Sequence, residues 1–411
     1  ELSITSPRMT TEGRRLLSIL AILPGGIADA DLPALLDDGD TAAGVLRACG
    51  LAFAEAGRLR MLAPLRAYVA KAYEVAGTDE LRVIAQYLAL AVRGDELGRA
   101  TGAEAAERLT PEIGNLETIL MRAVNRVNVN ELTNATVGYG EFARFTGLGS
   151  LQVVAHITAS AQLANDDAQR ARCLREIGLM EMDRSRDKAA GNYFVAALEI
   201  YRTIGDQQGE AYCIRDLGLA ALDLSELSEA ESRFKEAIPL FRNLNSSYGE
   251  ADCIELLGEI ARVQDDLQKA RDRFSEALTL SKSSENLLCE ARCARGLGHV
   301  ALAESNFAIA RTHFEVALAL YRNIGDVLGQ GNAMLGVSRS LSTEDPNTAI
   351  TAAYAALELY ERALSPHGMA SANLWLAELA SNDAQIRAHR TAARNAWSSI
   401  GRDDLIEKHQ L

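Results

Sequence analysis

Between residues 171 and 330, small and apolar residues recur every 40 positions, in four blocks that align without a gap. The recurring columns are Cys173, Cys213, Cys253 and Cys293; Gly178, Gly218, Gly258 and Gly298; Ala190, Ala230, Ala270 and Ala310; Phe194, Phe234, Phe274 and Phe314; and Ala197, Ala237, Ala277 and Ala317. A repeat of fixed length is typical of a solenoid, because one unit cannot bury its apolar face alone. The pattern therefore predicts a stacked array.

Each block is predicted to be a pair of helices. Ala190, Phe194 and Ala197 fall at i, i+4 and i+7, which is one face of an α-helix. Glycine inside a helix costs about 1 kcal/mol relative to alanine, so the recurring glycine column predicts close approach of the partner helix. Gly205-Asp206 and Gly325-Asp326 supply a helix-ending glycine followed by an N-cap aspartate, the signals expected where one block passes to the next.

The repeat continues less regularly on both sides. Residues 131–170 have the length of one block but lack its markers, and a further degenerate repeat runs from about residue 370. We assign residues 131–411 to a superhelix whose clear repeats start at 171, 211, 251, 291 and 331. We assign residues 79–130 to a helical connector or degenerate repeat, and expect the polar tail 402–411 to be solvated.

Residues 1–78 follow a different pattern, which we interpret as a winged-helix domain. The predicted elements are helices near Thr11–Ile22, Asp29–Leu36, Thr41–Ala48 and Ala63–Tyr73, and a hairpin of Leu51–Glu55 with Arg58–Leu62. The third helix of such a domain can enter a DNA groove. Here it carries one basic residue, Arg47, and follows Asp37, Asp38 and Asp40, so a protein-facing structural role is favoured over DNA recognition.

The composition narrows the classes of partner. The 411 residues carry a formal net charge of −14 at pH 7, with a pI near 5.1, which argues against nucleic acid because non-specific binding needs clustered Lys and Arg. No apolar run approaches the roughly 18 residues of a membrane span, and no signal-peptide pattern opens the chain. We therefore expect a cytoplasmic protein without a membrane partner.

No pattern predicts a catalytic or metal site. Four of the six cysteines occupy one repeat column, and stacked helices about 10 Å apart hold equivalent positions too far apart for a disulfide. Cys289 and Cys293 lack a third ligand at metal-binding spacing, and the six histidines are scattered. We expect no enzyme activity in this chain and no cofactor.

The blocks resemble tetratricopeptide repeats, with a Leu217-Gly218 type of pair in the first helix and small, aromatic and small residues in the second. The usual unit has 34 residues, and these blocks look like a longer-helix variant. They depart from the family where its first-helix aromatic is replaced, by Glu181, Ala221, Ala261 and Ala301. The resemblance implies an all-α, right-handed superhelix of 40-residue helical hairpins.

Three stretches resemble the region after the nucleotide-binding module of STAND or NB-ARC-type signalling NTPases. They are Arg15–Leu20 with Leu23–Gly26, Gly57–Tyr68, and Glu112–Glu117. The resemblance implies a winged helix that links an ATPase to the repeats. No Gly-Lys pair occurs in the chain, so it holds no P-loop. Because the sequence also starts at Glu1, we expect a fragment whose partner, an upstream nucleotide-binding domain, belongs to a longer protein.

In tetratricopeptide families, fixed stations of each first helix face a concave groove. Carried over in register, these stations are Arg172 and Arg175 with Leu179; Tyr212 and Arg215 with Leu219; Asp252, Glu255 and Glu259; Arg292, Arg295 and His299; and Asn332 and Arg339 with Leu335. The arginines predict a positive stripe that suits the carboxylates of an acidic peptide or protein edge. The alternative is that they pair with Asp183, Asp216, Asp252 and Glu255.

The resemblances imply a sensing and autoregulatory arm of a STAND ATPase, binding a protein or peptide partner on the concave repeat surface. Two alternatives remain open: the regulatory half of an ATP-dependent transcriptional activator, and a freestanding scaffold. A P-loop encoded upstream of Glu1 favours the first interpretation, a P-loop with a basic DNA-binding domain favours the second, and a nearby start codon favours the third.

Overall fold

The computed structural model describes residues 8–163, 166–184 and 186–411. The first seven residues of the predicted N-terminal domain, and Ser185 in the turn of the first clear repeat, lie outside the described residues. Among the helices that are described, none combines the length and the apolar composition needed to cross a bilayer.

A small sheet lies among short helices at the N-terminal end. The elements are α1 (Thr11–Ala21), β1 (Ile27–Ala28), α2 (Leu32–Leu35), α3 (Gly39–Ala48), β2 (Phe53–Glu55), β3 (Arg58–Arg60) and α4 (Ala63–Ala72). The strands are antiparallel in the order β1-β3-β2, with Leu59 opposite both Ile27 and Ala54. The predicted hairpin is confirmed. The third strand, β1, was not predicted, and the predicted helix Asp29–Leu36 is a 3-10 turn followed by the single turn α2. This sheet fits a winged helix.

Three further helices connect this sheet to the repeats. They are α5 (Gly77–Val92), α6 (Gly102–Leu109) and α7 (Ile113–Ala123), with 3-10 turns at Arg93–Glu96 and Thr110–Glu112. A salt bridge of 2.6 Å from Arg15 on α1 to Asp79 on α5 ties the connector to the N-terminal helices. Arg108 at the end of α6 pairs with Asp31, at 2.5 Å.

A buried polar network joins the sheet to the connector, and it brings together the stretches that resemble the STAND region. The Arg58 guanidinium pairs with Glu112 and donates to the carbonyls of Gly25 and Gly26, at 2.9 and 3.0 Å. Asn115 accepts from the Gly25 N–H and donates to Glu112, at 2.8 and 2.7 Å. The three sequence stretches therefore form one contact.

The remaining helices form seven packed pairs and a short terminal helix. They are α8 (Val129–Thr146), α9 (Leu151–Leu163), α10 (Asp167–Asp183), α11 (Asp187–Ile204), α12 (Gln207–Asp223), α13 (Leu227–Asn243), α14 (Ser247–Val263), α15 (Leu267–Ser283), α16 (Leu287–Ala303), α17 (Phe307–Ile324), α18 (Val327–Leu341), α19 (Pro346–Arg362), α20 (Pro366–Leu379), α21 (Asp383–Ser398) and α22 (Asp403–Lys408). Successive pairs stack on one another. The predicted all-α superhelix of tetratricopeptide-like hairpins is confirmed.

The 40-residue period is visible in the caps of the first helices. Five N-cap side chains each accept a hydrogen bond from the backbone N–H three residues on: Asp166, Asp206, Ser246, Asn286 and Asp326. Such a cap contributes about 1 kcal/mol. The preceding Gly205 and Gly325 adopt left-handed backbone conformations, with φ of 75° and 78°, which confirms the predicted stop and start signals.

The glycine column makes room for the phenylalanine column. A Cβ added at Gly218 would lie 2.6 Å from the Phe234 ring, and one at Gly258 would lie 2.9 Å from Phe274. The Phe274 ring also closes on the next first helix, where a Cβ at Gly296 would lie 2.5 Å away. The predicted close approach is confirmed, and the Phe274 ring joins neighbouring blocks as well as its own pair.

The array curves until its later repeats meet the connector. The Gly98 N–H donates to the Ile324 carbonyl at the end of α17, at 3.1 Å, and α6 packs against α17 while α8 packs against α18. A Cβ at Gly102 would overlap the Ile324 carbonyl oxygen, and one at Gly147 would lie 2.5 Å from the Ala363 backbone. We call this contact of residues 97–102 with α17 the closure contact.

Replacing Gly102 with alanine is expected to open the closure contact, because the added methyl would overlap the Ile324 carbonyl. Overpacking of this kind costs roughly 1–3 kcal/mol. Faster hydrogen exchange at the Gly98 amide and a larger radius of gyration in X-ray scattering are the expected results. Gly77→Ala is the matched control, since Gly77 also begins a helix and its Cβ would meet nothing within 4 Å. Equal behaviour of the two variants would contradict this account.

The tail after residue 402 forms the short helix α22. No residue of α22 is buried, although Leu405 and Ile406 pack against the buried Trp397 of α21. The largely exposed tail agrees with the expectation of a solvated end.

Candidate partner-binding groove

The first helices of successive pairs line the inner face of the array, where two adjoining cavities lie. The first, of about 370 Å³, is lined by seven predicted groove residues: Arg175, Leu179, Tyr212, Arg215, Leu219, Asp252 and Arg292. The second, of about 200 Å³, is lined by Arg292 again together with Arg295 and Asn332. We call the two cavities together the groove. The structure thus brings nine of the fifteen predicted groove residues to one surface.

The groove arginines alternate with buried carboxylates. Arg175 and Arg215 both pair with Asp216, at 2.6 and 2.7 Å, and Arg215 and Arg292 both pair with Asp252, at 2.8 and 2.7 Å. Burial alone would raise the pKa of Asp216, but the two arginines outweigh it and lower that pKa. The ion-pair alternative therefore describes Arg175, Arg215 and Arg292, and the stripe is largely neutralised by its own fold.

Tyr212 lies between two of these arginines. The guanidinium carbons of Arg175 and Arg215 are 4.9 and 5.0 Å from the centre of the Tyr212 ring, and the Phe241 ring meets it edge-on at 5.1 Å. Cation–π contacts of this kind hold the side chains in a fixed order. The Tyr212 ring thereby presents a rigid wall to the groove.

Arg295 differs from the other groove arginines. No carboxylate within ion-pairing distance of Arg295 is found in the described part of the chain, and its buried Nε has no hydrogen-bond partner. Its pKa is raised all the same, since Tyr321, Glu259 and Glu255 lie near enough to outweigh desolvation by burial. Arg295 is therefore a groove guanidinium with capacity left for a ligand carboxylate.

Glu255 and Glu259 each lie beside an arginine of the protein itself. Glu255 is buried 3.3 Å from Arg292 without a well-aligned hydrogen bond, and burial raises its pKa to about 7. Burial would also raise the pKa of Glu259, but its two bonds to Arg262, of 3.0 and 2.5 Å, lower that pKa to about 2. Neither carboxylate lines the cavities described here.

His299 is also structural. Its ring meets Phe314 edge-on at 5.0 Å, and burial, followed by the charges of Arg295 and Arg262, lowers its pKa to about 3. The imidazole is therefore neutral at physiological pH and cannot attract an anion by charge.

The remaining candidates lie apart from one another. Arg172 donates to the side-chain oxygens of Asn134 and Gln169, at 2.9 and 3.2 Å. Asn332 lines the second cavity and accepts a bond from the Tyr360 hydroxyl, at 2.9 Å. Arg339 lines a separate cavity near the C-terminal end. The structure therefore places Arg172 and Arg339 outside the groove, in contrast to the register carried over from the family.

Several groove residues were missed from the sequence. Tyr248 and Leu288 line the first cavity from the N-terminal turns of α14 and α16. Each lies one helical turn before the first groove position of its block, Asp252 or Arg292. Arg99, Arg144 and Phe145 reach the same cavity from the connector and from α8. Repeat register could have found the first two, but the last three lie in the connector and in α8, outside the clear repeats to which the register applies.

The described residues hold no group of three or more His, Cys, Asp or Glu side chains placed to bind a metal. All six cysteines are free thiols, and Cys289 and Cys293 pack with their sulfur atoms 3.9 Å apart. The interpretation of the cysteines as packing residues agrees with this arrangement.

Comparison with known proteins identifies the repeats. The tetratricopeptide repeat family matches residues 250–323, and no curated protein matches the chain. A Rap protein complexed with competence and sporulation factor aligns over 81% of this chain and 91% of that one, with 10% identity and a TM-score of 0.55. The Rap conjugation gene regulator of plasmid pLS20, in complex with the Phr* peptide, aligns over 76% and 86%, with 14% identity and a TM-score of 0.52.

A STAND protein with a tetratricopeptide repeat sensor from Pyrococcus horikoshii aligns over 97% of this chain and 65% of that one, with 14% identity. Its TM-score of 0.45 adds no argument. At these identities the first two structures show a shared fold alone.

Proposed function

We propose that this chain is a sensing arm that binds a peptide segment of a partner in the groove and passes its occupancy to the N-terminal elements. The observation that carries the proposal is the position of α6. This helix begins at the closure contact, where Gly102 lies against Ile324. It ends at Arg108, which pairs with Asp31 and with Glu112 of the buried network, at 2.5 and 3.3 Å.

The groove and the closure contact share residues. Leu97, Gly98 and Arg99 line the first cavity, and the same short segment bonds to Ile324. A peptide that fills the cavity must therefore fit beside residues 97–99 or displace them. A ligand shifts such an equilibrium only through different affinity for the two arrangements, and competition for this segment supplies that difference.

A peptide suits the groove better than an extended acidic surface does. Most groove arginines are already paired with carboxylates, which leaves Arg295 and Arg99, the aromatic walls of Tyr212 and Tyr248, and Leu288 as binding groups. Guanidiniums without an ion pair among the described residues, beside aromatic and aliphatic walls, match a short segment with an anionic group. The structure of the Rap regulator of pLS20 holds a peptide on a similar fold, which supports the proposal.

The proposed role is binding and not catalysis. The histidine nearest the groove is kept neutral by burial, and the carboxylates beside it are engaged by arginines. Within a longer protein, we propose that the arm regulates an attached STAND-type ATPase. The resemblance of the three stretches that form the buried network supports this assignment.

The binding role is tested with an immobilised library of random hexapeptides with free C-termini. Tyr248→Ala and Arg295→Gln are expected to weaken the best binders about tenfold or more, because Tyr and Arg anchors carry most of the energy in such interfaces. Matched controls are Tyr68→Ala and Arg322→Gln, which alter exposed residues away from the groove. Hydrogen exchange of residues 97–109 is expected to change when a peptide binds.

Two results would overturn this role. One is full affinity of both groove variants, and the other is an absence of any hexapeptide that binds. The ATPase assignment has its own test in the coding sequence upstream of Glu1. A G-x-x-x-x-G-K-[ST] motif there supports it, whereas a start codon close to Glu1 refutes it.

A further inference from the structure

A third cavity, of about 880 Å³, lies at the C-terminal end of the inner face. Its walls come from α14, α18, α20, α21 and α22, and include Arg262, Arg339, Trp375, Arg390, Trp397 and Lys408. Its volume falls in the range of about 300–1,000 Å³ that is usual for ligand pockets. We call it the C-terminal cavity. Only Arg339 among its lining residues was a sequence candidate.

The basic side chains of the C-terminal cavity are less fully paired with carboxylates than the arginines of the groove are. Of the four Lys and Arg side chains lining it, Arg262 pairs with Glu259. No ion pair of Arg339, Arg390 or Lys408 is found among the described residues, and Glu378 is the one acidic residue in the lining. Burial lowers the pKa of Arg339, because Tyr360 and Glu378 compensate its charge only in part. The wall is therefore positive where the groove is neutral.

The two arginines are held in place by uncharged groups. Arg339 lies over the Trp375 ring, with 5.7 Å from its guanidinium carbon to the ring centre. Arg390 donates to the carbonyls of His409 and Gln410, at 3.2 and 2.8 Å, which fixes α22 across the end of the array. Their remaining N–H groups have no carboxylate partner, and two oriented guanidiniums suit one carboxylate.

The wall also carries apolar side chains, beside His367, Ser371 and His409. Leu374, Ile386 and Leu405 line the cavity beside the two tryptophans. Because α22 packs back on α21, Leu405 and Lys408 of α22 close one side of the cavity, which favours a chain end over a continuous strand. The cavity adjoins the part of the inner face that carries Arg295, because His299 lies close enough to Arg295, Arg262 and Arg339 for their charges to add to burial in lowering its pKa.

We infer that the C-terminal cavity binds the C-terminal residue of a peptide, with its terminal carboxylate held by Arg339 and Arg390 and its apolar side chain against Trp375. The inference rests on the proposed function and specifies the kind of ligand: a peptide whose free C-terminus is recognised. The polarity of the bound peptide follows, with its C-terminus at α18–α22 and its preceding residues toward the groove.

The protein contains its own probe for this site. Both tryptophans of the chain line the C-terminal cavity, so a change in tryptophan emission reports occupancy there. The test uses the full chain and two N-acetylated hexapeptide libraries with defined last residues, one with a free C-terminal carboxylate and one amidated. Free acids with an apolar last residue are expected to change the emission saturably, and the matching amides to bind about tenfold or more weakly.

Two variants assign the carboxylate contact. Arg339→Met keeps the aliphatic stem, and Arg390→Gln alters an exposed side chain, so both are expected to fold. Each is expected to weaken the free acid about tenfold or more and to leave the amide within about twofold. Arg322→Met is the control for loss of a positive charge elsewhere on the array.

The outcomes separate this inference from the proposed function. Equal affinity for acid and amide, or displacement of the acid by an equal concentration of inorganic phosphate, overturns the carboxylate assignment. If such peptides still lose affinity on Tyr248→Ala, the groove function stands without it. If no peptide of either library binds, both fail. Acid-selective binding that depends on Arg339 and Arg390 establishes the site.

Discussion

Glu112→Gln is expected to destabilise the N-terminal elements by about 3–5 kcal/mol, because removing one partner of a buried ion pair leaves the other charge uncompensated. The Arg58 and Glu112 side chains are 7% and 0% exposed. The Glu112 carboxylate also accepts from Asn115 and from the Tyr87 hydroxyl, at 2.7 and 3.3 Å. The isosteric amide keeps the volume, so the loss reports charge and hydrogen bonding and not a cavity.

Native-state hydrogen exchange measures the effect locally, which matters because a repeat array need not unfold in one step. Exchange in α1 and α7 is expected to accelerate, while α12–α16 stay protected. The control is Glu55→Gln, whose partner Arg60 lies 2.9 Å away with both side chains about half exposed; such pairs contribute at most about 1 kcal/mol. Loss of protection throughout the array, or the same small effect for both variants, would contradict the role of the network.

The difference in stability between the natural protein and Glu112→Gln also depends on pH. Burial would raise the pKa of Glu112, but Arg58 and Asn115 outweigh it and hold that pKa below its ordinary value of 4.5. A carboxyl group whose pKa is lowered by folding stabilises the fold at pH values above its unfolded-state pKa. That contribution is lost as the pH falls from the unfolded-state pKa through the folded-state pKa. The gap between the natural protein and Glu112→Gln is therefore expected to narrow below about pH 4.5.

The repeat fold could be predicted from local columns, since each column has a local cause. Position 218 holds a glycine because the Phe234 ring occupies the space that a larger side chain would need. Asp206 caps its helix by accepting a hydrogen bond from the backbone N–H three residues on. These relations lie within one block or between neighbours, so the 40-residue period records them. The short strand β1 left no such record because its pairing with β3 spans Ile27 to Leu59.

The candidate site was predicted only in outline. Register located Arg175, Tyr212 and Arg215 on the inner face, yet the sequence left open whether the arginines would meet a ligand or pair with Asp216 and Asp252. The structure shows the pairs, which join neighbouring blocks. Those pairs join residues about 40 positions apart. The family register predicts which positions face the groove, but not which charged side chains pair there. The closure contact joins Gly98 to Ile324, a separation that no periodic signal reaches.

Phe274→Ala is expected to be the most damaging single change in the repeats, at about 3–5 kcal/mol, the usual cost of truncating a fully buried phenylalanine. Phe274 is 0% exposed, and its ring fills the space beside Gly258 on its partner helix and beside Gly296 on the next first helix. Losing it removes both an internal contact of one block and the interface to its neighbour.

In a solenoid, stability is approximately a sum of unit and interface terms, so the position of the damage is as informative as its size. Hydrogen exchange is expected to accelerate most in α14–α17, and unfolding in urea, followed by circular dichroism, to separate into two steps. Phe307→Ala is the matched control, since Phe307 is 37% exposed at the start of α17. A single step for Phe274→Ala, with protection lost equally from α8 to α21, would show that the closure contact makes the array one cooperative unit. In that case, binding in the groove would act on the whole array at once, and not through α6 alone.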